Sequence, residues 1–188
     1  MTMHNYPPEH RDIVNALTNG QFILYTQPHY AVVEKEEDFY RSFFKATFGF
    51  DLHFRSEGYI FLSSEEATEK DSRNFLIFLA VLCRELSING RDFKEDFELK
   101  KFQVEEIKNL LEKSSKKELV EHILTDGGIP KLLNEWQKRK VIEFTNTLQT
   151  QFKFTKAVNL FFEYAMELAD TRLKEEGSEG VDRSSNIA

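Results

Sequence analysis

Six basic side chains gather late in the chain: Lys131, Lys138, Arg139, Lys140, Lys153 and Lys156. Glu135 and Glu143 are the only acids between Lys131 and Lys156. Cations at that density suit the neutralisation of phosphates, which gives affinity for nucleic acid without regard to base sequence. The competing reading is a solvated basic face that balances an acidic chain. The formal net charge is −7 and the pI about 5.4, so a nucleic-acid contact has to be a local patch or come from a partner. The cluster is therefore a candidate for DNA contact that is weak and confined to one region.

Covalent chemistry has no comparable foothold. With 8 glycines, no spacing matches a phosphate-binding loop or a dinucleotide fingerprint. The histidines (His4, His10, His29, His53 and His122) are scattered and read as structural; His122 falls near a helix C-terminus, where positive charge is favoured. Cys83 is alone, so neither an intrachain disulfide nor a cysteine metal cluster can form. It lies in the most apolar run, Phe75 to Cys83, where cysteine behaves as a small hydrophobe. The adjacent carboxylates Glu65-Glu66, Glu105-Glu106 and Glu175-Glu176 point to different sides of a helix and make no acid–base pair. No enzyme activity, metal or cofactor is expected. The N-terminus lacks a basic region followed by an apolar one, and no apolar run is long enough to span a bilayer, so the expected setting is cytoplasmic, with no membrane.

The elements that must hold the basic cluster repeat a pattern that occurs twice: short helices, then a β-hairpin. The first unit opens with a helix over Glu9–Thr18, with Ile13, Val14 and Leu17 on its apolar face and Asn19-Gly20 at its end. Gln21–Tyr25 reads as a short strand, and a helical turn comes after Pro28. The next helix starts acidic with Glu36, Glu37 and Asp38, buries Phe39, Tyr40, Phe43, Phe44 and Phe48, and stops at Gly49. A hairpin over Asp51–Leu62 turns at Ser56-Glu57-Gly58. The second unit starts near Arg91, with a first helix marked by Val104, Ile107, Leu110 and Leu111. Ser115-x-x-Glu118 is a capping-box pattern for the next helix, and Pro130 suits the first position of a third, which carries Leu132, Leu133 and Trp136. A hairpin over about 140–154 comes next, and Thr155 can cap a last helix bearing Val158, Phe161, Phe162, Ala165 and Leu168.

Between the units runs a long helix, roughly Ala67 to Leu86. Apolar residues surround it, more than one small domain needs to bury. Phe75, Phe78, Leu79, Leu82 and Leu86 are accordingly candidates for contact with a second copy of the chain, set against the plainer role of a central core helix. The expected architecture is mainly α with small β-hairpins (α+β): tandem winged-helix domains joined by a central helix. The boundaries are 8–88 for the N-terminal domain with its linker helix, 91–173 for the C-terminal domain, and 174–188 for a disordered tail rich in Gly, Ser and charge. In a winged helix, the third helix and hairpin enter or straddle a DNA groove, and those elements carry the basic cluster here. The first unit's equivalent helix sets Glu36, Glu37 and Asp38 against Arg41 and Lys45, which argues against direct DNA reading there.

Leu17–Leu24, Pro28-His-Tyr30, Phe43–Leu52 and Glu57–Leu62 in the first unit, with Leu133-x-x-Trp136, Val141–Phe144 and Phe152–Val158 in the second, together resemble the accessory subunits of bacterial SMC complexes, the MksE and MukE group of tandem winged-helix (kite) proteins. The resemblance covers about 8–170, and the order of elements carries it more than any single motif. It implies a non-enzymatic, nucleoid-associated homodimer that binds a kleisin-like subunit bridging the heads of an SMC-like ATPase. Loading on DNA, chromosome organisation and segregation, or plasmid defence would be its role. The alternative is a winged-helix transcription regulator, against which the acidic first unit counts.

Overall fold

Apolar spacing at helical period starts the chain, and α1 (His10–Thr18) buries Ile13 and Leu17 in the core of the first half. β1 (Ile23–Leu24), α2 (Pro28–Lys35), α3 (Glu37–Phe48), β2 (Asp51–Arg55) and β3 (Tyr59–Ser63) complete that half. The strands make an antiparallel sheet in the order β1-β3-β2, with Ile23 opposite Ile60 and Leu52 opposite Leu62. Ile13, Leu17, Ile23, Val33, Tyr40, Phe44, Leu52 and Ile60 form its core. α2 is a full helix of 8 residues where the sequence indicated a turn. Pro28 occupies its first turn, where no N–H is needed, and burial of Val33 holds it on the core despite its β-branched pair.

The computed structural model describes residues 6–63, 69–124 and 127–165, with backbone alone for 69–72. Expectations for His4, Glu65-Glu66, the start of the long helix at Ala67, Leu168, Glu175-Glu176 and the tail from 174 lie outside these residues.

The second half runs α4 (Glu69–Ile88), α5 (Phe93–Leu99), β4 (Phe102–Gln103), α6 (Val104–Glu112), α7 (Lys117–Ile123), α8 (Gly128–Lys138), β5 (Ile142–Phe144) and β6 (Gln151–Phe154). Its antiparallel sheet has the order β4-β6-β5, with Phe102 opposite Phe152 and Phe144 opposite Phe152 from the other side. The fold is thus mixed α+β and mostly helical, with two small three-stranded sheets among the described residues. One compact unit extends through Ala157 and a second begins at Val158; of the latter, residues 158–165 are described and are helical.

Three local expectations change. α5 and β4 were hidden in the charge-dense stretch after Arg91. Asp92 caps α5 by accepting from the Lys94 N–H at 2.9 Å and the Glu95 N–H at 3.3 Å, and Phe97 anchors it among Phe102 and Phe154. The capping box at Ser115 does not form: Lys116 precedes α7, and the hydroxyl of buried Ser114 accepts from the Lys116 N–H at 3.0 Å while donating to Glu85 Oε1 at 2.7 Å. Pro130 is the third residue of α8 instead of the first, still within the turn whose N–H groups have no intrahelical acceptor.

Candidate nucleic-acid interface

One face of α8 is apolar: Ile129, Leu133 and Trp136 are buried. Trp136 meets Phe75 and Phe78 of α4 edge-on, with ring centroids 4.2 and 4.7 Å apart. α4 packs chiefly on α5, α6 and α7. Phe75, Phe78, Leu79, Leu82 and Leu86, the candidates for contact with a second copy, are each at most 3% exposed. The chain's own second half packs on this side of the helix, which makes these five side chains core residues of the protomer.

Burying that side of α8 leaves Lys131, Glu135 and Lys138 exposed on the other. The helix ends in a tight cap: the Lys140 N–H donates to Gln137 O and the Val141 N–H to Trp136 O, both at 3.0 Å. This pattern needs a left-handed residue after the helix, usually glycine. α1 and α4 end with the same pair of bonds and place Gly20 and Gly90 there, at φ 72° and 71°. α8 instead places Lys140 there, at φ 65°. A side chain in that conformation costs roughly 1 kcal/mol.

Lys131, Lys138 and Lys140 line one open cleft of about 720 Å³, together with Asn134, Glu135, Gln137 and, from the first half, Gln21. Lys138 is held by Glu135 at 2.9 Å. Among the described residues no carboxylate pairs with Lys131 or Lys140. The rest of the cluster lies apart from this cleft. Lys153 is matched across the hairpin by Glu143 at 3.0 Å, and Lys156 by Glu98 at 3.3 Å. Arg139 does not line the cleft; it is half-buried, and its carbonyl accepts the Phe22 N–H of the first half at 3.0 Å. The sequence cluster therefore divides into three cleft lysines and three cations held elsewhere. Gln21, Asn134 and Gln137 were not singled out from the sequence, because amides beside helix ends carry no distinguishing signal. A lysine where a helix end calls for glycine is a signal, readable once the end of α8 is known.

The equivalent helix of the first half presents a different surface. Arg41 pairs with Glu37 at 2.7 Å and also lies over the Phe54 ring, and Lys45 pairs with Asp51 at 2.9 Å. Its cations are thus committed within the half.

Titratable groups elsewhere serve packing. Asp96 is buried; burial opposes its charge, but hydrogen bonds from Lys100 and Arg91 outweigh that and hold its carboxyl below the usual range. Arg91 also bonds Glu106, and its guanidinium lies 5.6 Å from the Phe102 ring centroid. Burial lowers the pKa of His53, helped by Arg55 and Arg41 and opposed by Asp51; burial alone lowers that of His10. Burial pushes the Cys83 thiol up to about 12, far from the range of a nucleophile. Among the described residues no three His, Cys, Asp or Glu side chains are grouped to hold a metal, and no helix is long and apolar enough to cross a membrane.

Among known proteins, a family model described as condensin complex protein MksE matches residues 8–166. A search of curated proteins finds no match.

Proposed function

The chain belongs to the MksE family of condensin complex proteins, and from that premise we propose that it is the non-enzymatic accessory subunit of an SMC-like complex. The single observation that carries this reading is the family match across nearly the whole described chain. The order of elements supports it. Each half presents helix, strand, helices and hairpin, and its first strand pairs with the hairpin's second. We take each half as a winged helix, the N-terminal domain over 8–88 and the C-terminal one from 91; α4, the linker helix at the end of the first, packs on the second, which has α7 inserted before its third helix.

In this reading the protein acts in the cytoplasm, at the nucleoid, as a homodimer. It binds a kleisin-like subunit that bridges the heads of an SMC-like ATPase, and it supports loading on DNA for chromosome organisation and segregation or for plasmid defence. The basic cluster adds direct, weak contact with DNA phosphates. α8 and the hairpin after it supply that contact, with the cleft lysines Lys131 and Lys140 contributing more than Lys138, Lys153 and Lys156, whose carboxylate partners compete with phosphate.

The test is affinity purification of the tagged full chain from its native cell, with identification of what accompanies it. Recovery of a long coiled-coil ATPase and a kleisin-like chain is the expected result. Recovery of the protein alone on genomic fragments that share a motif would replace this reading with that of a transcription regulator.

A further inference from the structure

The cleft beside α8 is lined by both halves of the chain, and Gln21 is the first half's contribution to it. We infer that DNA phosphate is held by a composite site, with Lys131 and Lys140 of the second half and the Gln21 amide of the first, so that bound DNA fastens the two halves together. This rests on the reading that the basic cluster meets DNA.

The halves have separate cores, and each helix or strand packs mainly on elements of its own half. Gln21 stands at their seam between two anchors. Its own N–H closes the α1 cap on Ala16 O at 3.0 Å, and the next N–H, that of Phe22, reaches across to Arg139 O at 3.0 Å. The backbone at Gln21 is therefore fixed beside the end of α8. Its side chain is half-buried, and no hydrogen bond occupies its amide among the described residues. One residue beyond Arg139, Lys140 sits in the left-handed conformation that the other two such caps give to glycine. A strained lysine in a place where glycine would serve the fold better marks the side chain as the reason for its presence. The cleft gathers three lysines against Glu135 on a chain whose net charge is −7. Phosphate oxygens take charge from lysine and directed hydrogen bonds from neutral donors, and Gln21, Asn134 and Gln137 supply the latter.

Fluorescence anisotropy with a short DNA duplex, measured over a salt series on the full chain, tests the site. Gln21→Ala should weaken binding by roughly fivefold or more while leaving the salt slope unchanged, because the lost donor is neutral. Lys140→Gln should weaken binding and reduce the slope by about one. Gln21→Glu, which keeps the side chain's size, should weaken binding further. A second readout uses spin labels at Ser56→Cys and Leu148→Cys, with Cys83→Ala. The inter-label distance distribution should narrow on adding duplex, and Gln21→Ala should prevent this.

Unaltered affinity and narrowing in Gln21→Ala, with DNA still bound, would overturn this inference alone. Failure of the unaltered chain to bind duplex would bring down the DNA reading with it. Binding of a polyglutamate peptide at least as tightly as duplex, with the same dependence on Gln21, would assign the cleft to an acidic protein segment and overturn the proposal.

Discussion

The two halves repeat one plan of helices and hairpin, yet they deploy charge in opposite ways. In the first, the cations of α3 are tied to Glu37 and Asp51, and aromatic rings fill the space beneath. In the second, Trp136 anchors the corresponding helix from below, and its upper face turns Lys131, Lys138 and Lys140 into an open cleft. The same small fold can thus be closed or open electrostatically. The decision falls to a few residues: both α3 cations have carboxylate partners, whereas in the second half Glu135 pairs with Lys138 and, among the described residues, no carboxylate pairs with Lys131 or Lys140.

The comparison breaks most readily at Trp136. Trp136→Ala empties the space between α4 and α8 and should cost about 3–5 kcal/mol. Hydrogen exchange is then expected to rise through the second half while the core around Phe44 and Ile60 keeps its protection. Equal loss in both halves would mean that their cores are not separate.

Asp96→Ala should cost about 3 kcal/mol, since it leaves the Arg91 and Lys100 charges without their buried partner. The pH dependence has a definite sign. The folded pKa of Asp96 is depressed, so its contribution is fully present above the ordinary carboxylate value of about 4 and fades as pH falls through the lower folded value. Denaturant titrations of both proteins across that acid range should show their stabilities converging.

A sharper test of the contrast is Lys140→Gly. It relieves the left-handed cap, so thermal unfolding should show a gain of roughly 1 kcal/mol, while duplex affinity falls. Stability and binding moving in opposite directions would single out this lysine as functional. A smaller difference is expected between lysines: Lys131→Gln should reduce DNA binding more than Lys153→Gln, because Glu143 already neutralises Lys153. Smallest of all is the response of Cys83. With its thiol pushed up to about 12, the native protein should resist a thiol reagent near pH 8, about as well after an hour as at the start, and react on unfolding.

Much of this was legible in the residues. Helical spacing in Ile13–Leu17 and Val104–Leu111, the glycine stop at Gly49 and the turn at Ser56-Glu57-Gly58 are local signals, and the local backbone obeys them. α5 has no clear signal in the sequence because its apolar residues, Phe93 and Phe97, are outnumbered by charges, of which Asp96 finds its partner Arg91 outside the helix. Ser114, not Ser115, organises the entry to α7, because the buried Glu85 carboxylate draws that hydroxyl inward. The all-round apolar surface of α4 was visible, but not what covers it.

The sequence by itself determined the elements, the doubling of the plan and the place of the basic cluster, since each follows from spacing, caps and charge over a few residues. Only the tertiary structure decided which half α4 serves, which lysines are paired and that Gln21 meets the end of α8. These depend on contacts between residues far apart in the chain. Packing chooses among such contacts by buried shape and by the positions of opposite charges, and neither is written in local periodicity.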